Sequence, residues 1–219
     1  MKRRLPLPAL CLITDLDLCD GNPTELTRRV DLAIRGGVDV VQLRQKNIRG
    51  GKLLDLATKL QDTISDKALF LVNERIDVAM ACGADGVQLG SGSLPIRLAR
   101  PLLGHGSLIG ASVHDCATAC QAEADGTDFL LAGTIFPSDS HRGITPSGPN
   151  LISQMASVVQ TPILGIGGIN ATNAPAVAAN RTGAAQKSGL SAFAGIIISL
   201  EINFKPSAIS CRIPSTFPQ

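Results

Sequence analysis

The sequence predicts a parallel α/β protein of the (β/α)8 TIM-barrel type, with an irregular eighth unit. Three observations predict it. Short apolar runs alternate with longer amphipathic stretches along most of the 219 residues. That is the pattern of strands covered by helices on both faces of a sheet. A motif also recurs. Gly36-Gly37-Val38-Asp39-Val40-Val41-Gln42-Leu43 is followed by Cys82-Gly83-Ala84-Asp85-Gly86-Val87-Gln88-Leu89 and by Asp125-Gly126-Thr127-Asp128-Phe129-Leu130-Leu131. Its aspartates Asp39, Asp85 and Asp128 lie 46 and 43 residues apart. Two βα units of a barrel occupy about that length, since eight make roughly 200–250 residues. In each copy the glycine is read as closing a helix and the aspartate as opening a strand. The regularity favours a closed barrel over an open doubly wound sheet.

The elements follow in order. Ala9 to Thr14 is the first strand, and Thr24 to Arg35 the first helix, with Thr24 as its N-cap and Leu26, Val30, Ala33 and Ile34 at helical spacing. Val38 to Leu43 is the second strand. Gly51 to Ile64 is the second helix, with Leu53, Leu54, Ala57 and Leu60 on one face. Leu69 to Val72, Val87 to Leu89, Leu108 to Ser112, Phe129 to Ala132 and Pro162 to Ile166 supply strands three to seven. Helices from Arg75 to Ala81, Leu94 to Leu103, Cys116 to Ala124, Pro149 to Val159 and Thr172 to Ala179 lie between and after them. Pro149 suits a first helical turn, where a missing N–H costs nothing. The next copy of the repeat falls at Gly183-Ala184-Ala185, but Gln186-Lys187-Ser188-Gly189 directly after it is a poor strand. Ile196 to Leu200 is the better eighth strand, and Asn203 to Gln219 has no helical stripe. The chain reads as one domain over 1–219, with 202–219 an irregular tail.

Composition narrows the function. Hydrophobic residues are 44% and charged residues 17%, enough apolar surface for a buried core. Lys+Arg is 20 against Asp+Glu 18. That balance weighs against a nucleic-acid partner or a polybasic membrane anchor. No apolar run approaches the roughly 20 residues of a bilayer span, so no membrane partner is expected. The basic start Met1-Lys2-Arg3-Arg4 leads into a stretch with two prolines, which reads as the approach to a first strand rather than a signal peptide. Trp and Tyr are absent and Phe is 6, which weakens any reading built on aromatic stacking. The six cysteines form no CxxC pair. Cys116 and Cys120 lie near His114, but no third cysteine stands at metal-ligand spacing. Reduced cysteines packing as small hydrophobes in a cytoplasmic protein is the reading taken.

In a parallel barrel the chemistry sits at the C-terminal ends of the strands. Strand two ends in Gln42-Leu43-Arg44-Gln45-Lys46. Period-two alternation would set Gln42, Arg44 and Lys46 on one side, an amide and two cations suited to a polyanion such as pyrophosphate. Strand three ends in Asn73-Glu74-Arg75, where a carboxylate beside an amide can hold Mg2+ near a phosphate, or simply open a helix. Strand four leads into the small-residue loop Gly90-Ser91-Gly92-Ser93. Strand five ends in Ser112-Val113-His114, in which His114 is an acid, a base or an orienting group. The loop Gly133 to Gly143 after strand six is long enough for a lid or binding loop. Strand seven runs into Gly165-Ile166-Gly167-Gly168-Ile169-Asn170, whose backbone N–H groups suit a phosphate.

Taken in order, Gln42-Leu43-Arg44-x-Lys46, Asn73-x-Arg75, Gly86-Val87-Gln88-Leu89-Gly90, Gly110-x-Ser112-x-His114, Phe136-Pro137-Ser138-x-Ser140 and Gly165-Ile166-Gly167-Gly168-Ile169 resemble the thiamine phosphate synthase family. The thiazole tautomerase group shares its barrel. The resemblance runs from about Leu10 to Ala179. It implies a transferase that joins a hydroxymethylpyrimidine pyrophosphate to a thiazole phosphate, with Mg2+ as cofactor, small molecules as its substrates, and room for a homo-oligomer. It implies that Gln42, Arg44, Lys46 and Asn73 hold the pyrophosphate and that Ser112 lies near it, Arg44 and Ser112 being the catalytic pair. It implies that Ser138, Ser140, His141, Gly168 and Ser199 bind substrate around the thiazole phosphate, and that Glu74 binds the metal.

The chain also departs from the family. Glu74 replaces the usual Asp of Asn-Asp-Arg. Ser93 stands where a second metal-binding Asp is usual, and His141 where a loop Lys is usual. Thr134 occupies the place of the tautomerase catalytic His. Two alternatives therefore stay open: a tautomerase-like enzyme acting on thiazole phosphate alone, and a barrel that binds thiazole or thiamine phosphate without turnover.

Overall fold

The repeated Gly-x-Asp motif is the device that aligns neighbouring strands in the computed structural model, which describes residues 4–138, 145–170, 172–179 and 194–199. Asp39 donates its backbone N–H to the Leu10 carbonyl at 2.9 Å, and its Oδ2 accepts the Leu10 N–H at 2.8 Å. Asp85 makes the same reciprocal pair with Phe70, at 2.8 and 2.8 Å. Asp128 makes it with Ile109, at 2.7 and 2.9 Å. Two of these aspartates reach a third strand as well, since the Asp39 carbonyl accepts from Leu69 N–H and the Asp85 carbonyl from Leu108 N–H. Gly37, Gly83 and Gly126, each two residues ahead of its aspartate, take positive φ (100°, 70° and 87°), which glycine adopts at no steric cost.

The strands so joined are β1 (Leu10–Ile13), β2 (Val40–Leu43), β3 (Leu69–Asn73), β4 (Gly86–Leu89), β5 (Leu108–Val113), β6 (Phe129–Ala132) and β7 (Ile163–Gly165). All pair in parallel with their sequence neighbours. Helices α1 (Pro23–Arg35), α2 (Gly50–Ile64), α3 (Ile76–Cys82), α4 (Ile96–Leu103), α5 (Cys116–Ala124), α6 (Asn150–Ala156) and α7 (Ala174–Ala179) follow them in turn. The result is a parallel α/β sheet that curls, as the alternation predicts. A further strand, β8 (Ala194–Ser199), pairs in parallel with β7 and with β1.

The strand pleat sorts side chains into two cores. Leu12, Val41, Leu43, Phe70, Val72, Val87, Ile109 and Leu130 point outward and pack under the helices with Leu26, Val30, Leu56, Leu60 and Ile152. Cys11, Ile13, Val40, Leu69, Leu71, Leu108, Phe129, Leu131 and Leu164 fill the inside of the curl. There, burial pushes the Cys11 thiol up to about 12, so this cysteine is an inert filler. Arg100 of α4 clamps the N-terminal ends of the strands. Its guanidinium donates to the carbonyls of Ser107 and Gly126 and to Asp128 Oδ2 at 2.6 Å.

Several expected details change. The cap of α1 is Asn22, whose Oδ1 accepts from the N–H of Thr24 and Glu25. Thr24 is not the cap, because Pro23 lacks an N–H and occupies the first helical position. In the first copy of the repeat the helix closes on Gly36 in a right-handed conformation, and in the third on Asp125. The repeat glycine still ends each helix as expected: Gly37, Gly83 and Gly126, all at positive φ, donate their N–H groups to the Ile34, Met80 and Glu123 carbonyls. Helix α4 starts at Ile96 behind Pro95 rather than at Leu94. Helix α6 ends at Ala156 rather than Val159, and Pro149 precedes it. The eighth strand starts two residues earlier than Ile196, and Leu200 and the tail 202–219 lie outside the described residues.

Glu123 of α5 ties that helix to the start of β7. Its Oε1 accepts from the backbone N–H of Gln160 and Thr161 and from the Thr161 hydroxyl, all at 2.7–2.8 Å. Burial alone would raise its carboxyl, but these three donors outweigh burial and hold it below the usual range. A lowered carboxylate contributes stability that is present above its unfolded value and lost as pH falls. Glu123→Gln should therefore cost about 1 kcal/mol at neutral pH. In urea unfolding, its deficit against the parent should shrink as pH drops below about 4.3. A deficit independent of pH would contradict this.

Candidate active site

The interior pleat ends at the C-terminal edge of the sheet in a polar layer. Gln42, Asn73, Gln88 and Ser112 share the inward face with the apolar residues beneath them, and Asn73 stands opposite Gln88 in the β3–β4 register. Gln42 is 3% exposed, and its Nε2 donates to Asn73 Oδ1 at 3.0 Å. Gln88 is 1% exposed, and its Nε2 donates to Ser112 Oγ at 3.1 Å. Thr14, also buried at the end of β1, accepts the Arg44 N–H on its hydroxyl at 3.2 Å.

The cations sit just beyond this layer. Strand β2 stops at Leu43, so the alternation expected to align Gln42, Arg44 and Lys46 ends before the two cations. Arg44 and Lys46 belong to the following loop, Arg44 half-buried and Lys46 exposed. Gln45, between them, anchors this loop to the one after β1 by accepting the Leu16 N–H. Among the described residues, no hydrogen bond or ion pair engages the Arg44 guanidinium or the Lys46 ammonium. Arg75, by contrast, is committed to Asp77.

Glu74 is exposed and holds φ at 61°, the left-handed region, with its N–H on the Gln88 carbonyl at 2.8 Å. Its Oε1 lies 3.1 Å from where a Cβ on Gly90 would stand. Ser93 reaches the same corner, but its Oγ accepts the Gly90 N–H at 2.8 Å and so closes the loop. Among the described residues, no group of three or more His, Cys, Asp or Glu side chains comes together. Glu74 is the carboxylate beside Gly90. That fits Mg2+ held chiefly by water and substrate phosphate oxygens.

The opposite part of the rim is built on backbone. Ile135 and Phe136 donate their N–H groups to the carbonyls of Ile166 and Gly167, so the segment after β6 continues along β7. Gly168 has φ 60°, and a side chain there would collide with the Pro137 carbonyl. Asn173 fixes the turn by donating to the Gly168 carbonyl and accepting the Asn170 N–H. Ser138 is half-buried at the end of this segment. His114, exposed at the end of β5, meets the Gly133 carbonyl through Nδ1 at 2.7 Å. A carbonyl only accepts, so Nδ1 carries the proton and donates it to Gly133. Ser140 and His141 lie outside the described residues. Ser199 ends β8, opposite Ile13.

Comparison with known proteins now decides the family. A sequence profile described as "Thiamine monophosphate synthase" matches residues 10–193. The chain belongs to the thiamine monophosphate synthase family. A relative from Chlorobium luteolum named thiamine-phosphate synthase is 42% identical over 76% of this chain and 77% of its own length. One of the same name from Methanoculleus marisnigri is 41% identical over 80% of this chain and 84% of its own. The structure of thiamine phosphate pyrophosphorylase from Pyrococcus furiosus superposes with a TM-score of 0.73 at 31% identity, covering 92% of each chain. The family resemblance therefore stands. What the motifs alone did not single out were Thr14 and Gln88. The repeat carried a signal for the second, since Val87-Gln88-Leu89 copies Val41-Gln42-Leu43.

The left-handed backbone at Glu74 costs a residue with a long side chain about 1 kcal/mol more than one that tolerates this region. Glu74→Asn should accordingly raise the unfolding free energy by up to about 1 kcal/mol while removing the Glu74 carboxylate from the corner. Equilibrium unfolding in urea checks it. A destabilised variant would show that the Glu74 side chain supports the fold.

Proposed function

We propose that this chain is a transferase of thiamine biosynthesis. It condenses a hydroxymethylpyrimidine pyrophosphate with a thiazole phosphate to give thiamine phosphate and pyrophosphate. The observation that carries this is the pair of cations, Arg44 and Lys46, that make no hydrogen bond or ion pair among the described residues, beside the buried amide layer of a chain about 40% identical to proteins named thiamine-phosphate synthase. We also infer a complete (β/α)8 barrel over one domain. The pairing of β8 with both β7 and β1 supports it.

In this reading Arg44, Lys46, Gln42 and Asn73 bind the pyrophosphate of the pyrimidine. The bond from the pyrimidine methylene carbon to the pyrophosphate oxygen breaks, its electron pair leaving with the oxygen. The thiazole nitrogen supplies the pair for the new carbon–nitrogen bond. Negative charge grows on the departing group, so fixed cations and donors nearby stabilise the transition state more than the ground state. Ser112 donates its hydroxyl to that oxygen group. The Gly168 N–H, together with Ser138, Ser140 and His141, holds the thiazole phosphate, with Ser199 completing the rim. Glu74 would hold Mg2+, which when bound neutralises pyrophosphate charge. The five described cysteines are free, which supports a reducing, cytoplasmic setting. Among the described residues, no helix is long and apolar enough to cross a membrane.

One observation favours a second reading, a barrel that binds thiazole or thiamine phosphate without turnover. Ser93, at the place of the family's second metal-binding Asp, is consumed in closing its loop.

Two measurements test the proposal. Purified protein with Mg2+ and both substrates should release thiamine phosphate. Arg44→Ala should lower kcat/KM for the pyrimidine substrate by about 10–100-fold, the weight of one charged hydrogen bond. Absence of product from the parent protein would leave the tautomerase-like and binding readings. Calorimetric titration should show weak Mg2+ binding to the free protein and markedly tighter binding with pyrophosphate present. Ser93→Asp, which can still accept the Gly90 N–H, should strengthen both. Equal weak heats with and without pyrophosphate would remove Glu74 from the metal site.

A further inference from the structure

Gln88 is the one residue of the polar layer that the proposed chemistry leaves without a task, and its surroundings are unusual. It is 1% exposed, yet its Oε1 is buried with no hydrogen-bond partner among the described residues. Space for that oxygen exists only because residue 110 is glycine. A Cβ there would collide with Gln88 Oε1 and with the ring of Phe129. A buried acceptor without a donor works against folding, and such a group calls for a reason.

The nitrogen side supplies the reason. Nε2 spends one hydrogen on the Leu89 carbonyl at 3.3 Å and the other on Ser112 Oγ at 3.1 Å. The Leu89 carbonyl can only accept, so the amide is held with its nitrogen toward Ser112. The strand register sets the rest. Gln88 stands opposite Gly110 on β5, and Ser112, two residues further along, shares the same face. The Ser112 hydroxyl makes no other hydrogen bond among the described residues.

We infer that Gln88 is a positioning residue for Ser112: its amide N–H occupies the serine's acceptor and turns the hydroxyl proton toward the anion in the site. The inference rests on the proposed reaction, in which that anion is the departing pyrophosphate. A serine whose oxygen already accepts a hydrogen bond is a pre-oriented donor. A serine without that partner spreads its proton over several rotamers. The stranded Oε1 is the cost of using an amide for this task where an apolar side chain would pack better.

Gln88→Met and Gln88→Leu test the inference, because a structural role and a positioning role predict opposite signs. Removing an unsatisfied buried acceptor should leave Tm unchanged or raise it. The same variants should lower kcat/KM for the pyrimidine pyrophosphate by about tenfold and leave the KM for thiazole phosphate unchanged. In a Ser112→Ala background, Gln88→Met should have no further effect, since both changes remove one interaction. A clear drop in Tm in both variants, parental kcat/KM, or equal losses in the presence and absence of Ser112 would each overturn the inference. If the parent protein itself makes no thiamine phosphate, the proposed reaction fails rather than this inference. The variants are then compared by calorimetric titration with Mg2+ and inorganic pyrophosphate. Weaker binding by Gln88→Met than by the parent bears the inference out, and equal binding overturns it.

Discussion

The reciprocal pairing of each repeat aspartate with the strand before it is the constraint on which the rest of the structure depends. A parallel ladder can slide without losing its backbone hydrogen bonds, and a slip of one residue turns every side chain to the other face. Asp39, Asp85 and Asp128 prevent that by engaging both the N–H and the carbonyl of a single residue: Leu10, Phe70 and Ile109 respectively. With those pairs fixed, Ile13 must face Gln42, Asn73 must face Gln88, and Ser112 must face Leu131. The polar layer at one end of the sheet is thus set by carboxylates at the other. The fourth place in the repeat reads Gly183-Ala184-Ala185, so the side chain that ties the other pairs is absent from the sequence there.

The two ends of the sheet differ in how well their polar groups are satisfied. At the N-terminal end Asp128 receives a backbone N–H and the Arg100 guanidinium, and Arg100 also donates to three carbonyls. Every such contact removes a buried polar group from the unsatisfied state, which is how a close-packed interior tolerates them. At the C-terminal end Glu74 sits in left-handed backbone, Gln88 keeps a stranded acceptor, and the Arg44 and Lys46 cations have no partner among the described residues. Departures of this kind concentrate where a ligand is to be bound, because a site whose groups satisfy one another has nothing left to offer a substrate.

This division also explains how much of the molecule is legible in the sequence. Strand order and the positions of Gln42, Asn73, Ser112 and Gly168 follow from apolar periodicity and from the rule that barrel chemistry sits after the strands. The start of the first helix is misleading, because Thr24 looks like a capping residue in isolation. Pro23 shifts the start, and Asn22 takes the role. The common side expected of Gln42, Arg44 and Lys46 rests on a pleat that ends at Leu43. The Gln88–Ser112 pair cannot be read from either segment, since it exists only in the β4–β5 register and in the volume that Gly110 leaves empty.

Gly90 shows how closely the metal corner and the polar layer are joined. Its N–H is capped by Ser93, and Glu74 Oε1 lies 3.1 Å from where its Cβ would stand, while the Glu74 N–H is held by the Gln88 carbonyl. The residue that orients Ser112 through its side chain therefore holds Glu74 through its backbone. Ser112, the proposed pyrophosphate donor, and Glu74, the proposed metal ligand, are bridged by a single residue of β4, a strand rather than a loop. A site that must stabilise charge as it develops gains from such stiffness, because donors already in place need no reorganisation when the bond to the leaving group breaks.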